Sequence, residues 1–186
     1  MIIQLTGLSG AGKTTLSHAI KNELDKKNIQ VEIVDGDAYR QTLCKDLGFS
    51  QEDRKENIRR LGKVAHDYEL QGRIAIIAAI NPYEDVRQEL KEKYGAFTVW
   101  IDCPVDVLIQ RDTKGLYKRA LLPNEHRDKI FNLTGINDPY ESPLNAELVI
   151  NTSALPQKKA AEILLSFIFR CLKTQTSVSV PVSGTM

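Results

Sequence analysis

The sequence has few cysteines, no long apolar run and almost no net charge. Cys44, Cys103 and Cys171 lie far apart and are odd in number, with neither a C-x-x-C pair nor a disulfide framework. They read as reduced thiols, mostly in the core. The longest apolar run, Ile74 to Ile80, is strand-sized, well short of a membrane span. A formal charge of +1 over 186 residues makes no overall electrostatic case for nucleic acid or a membrane surface, although local basic clusters remain. No charged-then-apolar leader opens the chain, and no internal repeat runs through it. His18, His66 and His126 lack metal-ligand spacing and read as helix-face or loop residues. The expectation is a cytoplasmic enzyme without nucleic-acid or membrane partners, residues 1–173 forming a single domain and 174–186 a flexible tail.

What is present begins at Gly7. Gly7-Leu-Ser-Gly-Ala-Gly-Lys-Thr14 fills the G-x-x-x-x-G-K-[ST] pattern, directly after the apolar Ile2, Ile3 and Leu5 and directly before a helical pattern. Glycines let successive backbone N–H groups turn into one concavity, and the following helix adds its positive end. An anion belongs there. Lys13 offers a point charge for the β- and γ-phosphates, and the Thr14 hydroxyl a hard oxygen suited to Mg²⁺.

Leu16, Ala19, Ile20 and Leu24 then predict a helix from Thr14 to about Lys27. Val31 to Val34 predicts a strand that delivers Asp35-Gly36-Asp37 to the sheet edge where open α/β folds bind ligands. These carboxylates can serve Mg²⁺, act as a general base on an attacking hydroxyl, or simply make an Asp-Gly turn. A short helix is expected over Ala38–Lys45, and a long one from Ser50, whose hydroxyl can cap it, to about Leu70. The first half of that helix carries Arg54, Lys55, Arg59 and Arg60, more basic than a solvated face needs; it suggests recognition of a second anion, with a solvated helix face as the alternative. Further strands are expected at Arg73–Ile80, Phe97–Ile101 and Leu148–Ile150, and a last helix from Pro156 to about Lys173. Arg111, Lys114, Lys118 and Arg119 fall in a weakly periodic segment with the composition of a mobile lid over phosphates. The fold expected is a three-layer α/β/α sandwich on a five-stranded parallel sheet, of the P-loop NTPase, nucleotide-kinase-like type.

In order along the chain, G-L-S-G-A-G-K-T-T, D-G-D-x-x-R (Asp35–Arg40), D-L-G-F-S-x-E-D-R-x-E-N-I-R-R (Asp46–Arg60), K-G-L-Y-K (Lys114–Lys118) and T-G-I-x-D-P-Y-E (Thr134–Glu141) resemble the adenylyl-sulfate kinase family. The resemblance implies transfer of the ATP γ-phosphoryl group to the 3′-hydroxyl of adenosine 5′-phosphosulfate (APS), giving PAPS and ADP. It implies that Gly7, Ser9, Gly10, Ala11, Gly12, Lys13, Thr14, Thr15 and Arg111 bind ATP, and that Thr14 and Asp35 hold Mg²⁺. Lys13, Asp37 and Lys114 would be catalytic. Asp37, Arg40, Phe49, Arg54, Asn57, Ile80, Asn81, Lys114 and Leu133 would hold the acceptor, with Phe49 stacked on its adenine. A homodimer and an association with sulfate adenylyltransferase are implied by the resemblance alone.

The chain departs from the family pattern at Asn81, where a serine is usual, at Glu84, where an arginine is, and at Phe131 and Leu133, where a lysine and the second aromatic of a base sandwich are. Leucine covers a base without a π face, and such a face is worth about 0.5–1.5 kcal/mol beyond burial. Two other readings stay open: a kinase acting on the ribose 3′-hydroxyl of another nucleotide-linked anion, and a non-catalytic nucleotide-binding subunit.

Overall fold

The computed structural model describes residues 1–178, and the side chains of residues 1–174. Five short, largely apolar segments make the sheet: β1 (Ile2–Thr6), β2 (Val31–Asp35), β3 (Ile74–Ala78), β4 (Phe97–Asp102) and β5 (Leu148–Asn151). They pair in parallel in the order β2-β3-β1-β4-β5. Ile3 aligns with Ile76 on one side and Phe97 on the other, so β1 is central. A parallel strand so placed must be apolar on both faces, and every residue of β1 and β3 is buried.

Side chains alternate between the two faces and divide the core accordingly. Ile3, Leu5, Ile76 and Ile101 pack with Leu16, Ile20 and Leu24 of α1 (Lys13–Asp25) and with Leu164 and Ile168 of α7 (Gln157–Val178). Ile2, Ala75 and Ile77 pack against Ile58, Leu61 and Ala65 of α3 (Gln51–Leu70) and Val86 and Leu90 of α4 (Glu84–Tyr94). Helices therefore cover both faces, the three-layer arrangement expected. The free cysteines Cys44, Cys103 and Cys171 are all buried. Among the described residues no helix is long and apolar enough to cross a membrane.

Several boundaries move for local reasons. The short helix α2 occupies Gly36–Arg40 rather than Ala38–Lys45, because Asp35 caps it by accepting from the N–H groups of Asp37 and Ala38. Ser50 caps α3 as expected, accepting from Asp53 N. The basic segment is partly built: after α5 (Val105–Arg111) comes a helical turn, α6 (Leu116–Ala120), seated by the buried Tyr117 and Ala120. Helix α7 continues to Val178, beyond Lys173 where its apolar pattern stops. The rest of the expected tail lies outside the described residues.

Candidate active site

The strand order places the loops after β1, β2 and β3 side by side. Chain direction from β1 leads to one side of the sheet and from β3 to the other, so a crevice opens at their C-terminal ends. The phosphate loop fills one side of it. Gly12 has φ 104°, a left-handed conformation that caps α1 and resists a side chain. A Cβ on Gly7 would stand 2.3 Å from the Ile101 carbonyl, so only glycine lets the loop cross β4 there.

Lys13 folds back across this loop, donating to the Gly7 carbonyl at 2.7 Å and the Leu8 carbonyl at 2.8 Å. Burial, and then the charge of Lys114, lower its pKa to about 8, against the opposing pull of Asp37 and Asp35. Thr14 donates its hydroxyl to Asp35 Oδ2 at 2.9 Å, bringing together the pair expected at a metal. On the outer side, Thr152 at the end of β5 donates to the Ala11 carbonyl at 2.9 Å, and Arg111 donates to the Thr152 carbonyl at 3.0 Å. Thr15, Arg111, Thr152 and Leu155 line a recess of about 280 Å³ beside the loop.

A larger cleft of about 580 Å³ opens from Ser9 on the other side of the loop. Asp37 and Arg40 reach it from α2, Arg54 and Asn57 from α3, and Ile80 and Asn81 from the end of β3. Phe49, Lys114 and Leu133 complete the expected set, so every acceptor-side residue named from the sequence meets here. Lys114 Nζ lies 2.5 Å from Asp37 Oδ2. Both groups are exposed, and an ion pair in that setting is worth about 0–1 kcal/mol, so it separates easily.

The arginines are held differently. Arg54 is 7% exposed and donates to the carbonyls of Phe49 (3.0 Å) and Asn132 (2.6 Å), to Thr134 Oγ1 (3.0 Å), and to Asp138 at 2.7 Å. Arg40 donates to the Gly48 carbonyl at 2.8 Å, and burial followed by the neighbouring Arg54 charge lowers its pKa. Phe49 remains half exposed, with the two guanidinium carbons 4.6 and 5.4 Å from its ring centre. Leu133 is only 6% exposed and packs into the core, whereas Phe131 is 61% exposed. Glu84, where the family's usual charge is reversed, pairs with the buried Arg87 at 2.7 Å.

The residues 1–151 match the family model described as adenylylsulphate kinase. The chain belongs to the adenylyl-sulfate kinase family. Among its relatives in that family, an adenylyl-sulfate kinase of Rippkaea orientalis is 47% identical over 151 residues, 81% of each chain. An adenylyl-sulfate kinase of Chloroflexus aurantiacus is 43% identical over 91% of this chain and 89% of its own. The fold is similar to that of the Mycobacterium tuberculosis APS kinase solved in complex with AMPPNP and APS, with TM-score 0.79, 34% identity, and coverage of 88% of this chain and 94% of that one.

Some residues at the site escaped sequence reasoning. Thr152 and Tyr117, whose hydroxyl donates to the Ser9 carbonyl at 2.8 Å, brace the phosphate loop from distant parts of the chain. Tyr117 lay inside the K-G-L-Y-K motif and Thr152 at a strand's C-terminal end, which were the available signals.

Proposed function

We propose that the chain transfers the γ-phosphoryl group of ATP to the 3′-hydroxyl of APS, giving PAPS and ADP. The observation that carries this is the continuity of the phosphate loop with a cleft of opposite design. Ser9 lines both, and across it stand a carboxylate, Asp37, and the cations Arg40 and Lys114. A hydrolase needs no such second anion site, and a bare binding module needs no carboxylate in it.

Asp37 takes the proton from the 3′-hydroxyl as its oxygen attacks the γ-phosphorus, and the bond to the β–γ bridging oxygen breaks to release ADP. Lys13 leaves the Gly7 and Leu8 carbonyls for the β- and γ-phosphates, whose charge restores the ammonium that burial disfavours. Lys114 leaves Asp37 for the transferring group, freeing the base as it neutralises the phosphate. Arg40 meets the acceptor's phosphosulfate, Arg54 offers it the remaining N–H of a guanidinium fixed by the protein, and Phe49 stacks on its base. Arg111 and Thr15 face the nucleotide in the outer recess.

The donor set at Thr14 and Asp35, two hard oxygens 2.9 Å apart, fits Mg²⁺, which takes few protein ligands and completes its shell with phosphate and water. Bound there, the metal would neutralise charge developing on the phosphates. Action in the cytoplasm as a homodimer, with sulfate adenylyltransferase nearby, follows from the family resemblance, and light scattering on the eluting protein would check the dimer.

The test is turnover of APS by purified protein with ATP and Mg²⁺. Asp37→Asn should lower kcat by about a hundredfold to ten-thousandfold while ATP still binds. Because Leu133 is drawn into the core, a second reading is kept: another nucleotide-linked anion as acceptor. It is favoured if APS gives no product and another nucleotide in a panel does.

A further inference from the structure

The T-G-I-N-D-P-Y-E run, residues 134–141, is tied at both ends to the reaction cleft. At the first end, Thr134 and Asp138 hold Nη1 and Nη2 of the Arg54 guanidinium, whose Nε donates to the Phe49 carbonyl. Gly135 N donates to the Asp138 carbonyl at 2.8 Å and closes that turn. Arg54 is buried, so its charge depends on Asp138 for balance and its direction on fixed acceptors.

At the second end the run grips the edge of β3. Glu141 N donates to the Pro82 carbonyl at 2.8 Å, and the Glu141 carboxylate accepts from Glu84 N at 2.6 Å. Arg87 donates to the carbonyls of Asn81 and Glu141, 2.7 Å each. The Tyr140 hydroxyl lies 2.9 Å from Thr6 Oγ1. Thr6 spends its own proton on the Ile80 carbonyl at 2.8 Å, so the phenol is the donor between them. That same Ile80 carbonyl also accepts from Gly7 N at 3.2 Å. Thr6 immediately precedes the phosphate loop, and Ile80 and Asn81 line the acceptor cleft, so one carbonyl joins the two halves of the site. Burial pushes the Tyr140 phenol up to about 12, which keeps it a donor at any working pH.

We propose that Asp138 and Tyr140 are positioning residues for phosphoryl transfer: Asp138 aims Arg54 at the acceptor, and Tyr140, through Thr6, sets the Ile80–Asn81 edge against the phosphate loop. The proposal rests on the kinase reading above. The two tethers act on different quantities. Arg54 lines the acceptor cleft and not the outer recess, whereas the Thr6–Ile80 contact would set the distance between acceptor and donor.

Steady-state kinetics of the full chain with ATP and APS separate them. Asp138→Asn should raise KM for the acceptor about tenfold and leave KM for ATP unchanged. Tyr140→Phe should lower kcat about tenfold with both KM values unchanged, and should add nothing in a Thr6→Val background. Should Asp138→Asn not fold, Asp138→Glu, which keeps the charge on a longer arm, should give the same selective rise. A strap that only stabilises the fold would lower the melting temperature and leave these constants alone; that result, or both KM values rising together, overturns the proposal. Absence of APS turnover by the unaltered protein overturns the kinase reading itself and the proposal with it.

Discussion

At Lys13, burial and electrostatics pull in opposite directions. The ammonium is shielded from water and satisfied only by two loop carbonyls, so its folded pKa falls from 10.5 to about 8. Between these values the unfolded chain holds a proton that the folded chain has released, so stability should rise with pH from about 8 to about 10.5. Urea midpoints measured across that range without nucleotide check this, and Lys13→Met should flatten the rise. On the proposed reading the same substitution should lower kcat by about a hundredfold or more, since a group assigned to transition-state charge would be lost. Lys13's place in the loop was legible in the spacing of Gly12, Lys13 and Thr14, because a phosphate cradle is a local backbone structure. Leu133 was legible only in part: the family resemblance marked it as a site position, but its burial among core side chains depends on packing that no local pattern records.

Among the elements, α3 brings Arg54, Asn57 and Ile58 to the larger cleft, and its cap Ser50 does not line that cleft. Ser50 Oγ accepts from Asp53 N at 3.1 Å, and Ser50→Ala should therefore cost about 1 kcal/mol, read as a lower urea midpoint with an unchanged slope. The cap, the acidic first turn with Glu52 and Asp53, and the apolar spacing of Ile58, Leu61 and Ala65 are all local to the helix, which is why it was predictable to within a residue or two. α6 was not. Its five residues carry too little periodicity, and what seats them is Tyr117 reaching the Ser9 carbonyl 108 positions away.

For the whole molecule, the nucleotide should act as a clamp. The Ile80 carbonyl after β3, Tyr117 of α6 and Thr152 after β5 each bond the phosphate loop, so ATP binding stabilises the folded chain as a unit. ATP with Mg²⁺ at about a hundred times its dissociation constant should add about 2.7 kcal/mol, seen as a higher melting temperature. In Lys13→Met most of that gain should disappear.

The sequence by itself determined the structures whose causes are local: the glycine loop, the caps, the short apolar strands and the residues that would carry charge at their ends. It also placed Asp37, Arg40, Arg54 and Lys114 in one reading of the chemistry. Only the tertiary structure decided the strand order β2-β3-β1-β4-β5, and with it that Asp35, Asn81 and Lys114 converge on the loop at Gly7. It alone showed Arg54 bound to Asp138, and Thr6 held between Tyr140 and Ile80. The physical reason is one of range: a backbone turn is set by its own few residues, whereas a buried polar group finds its partner across the chain, wherever folding leaves it without water.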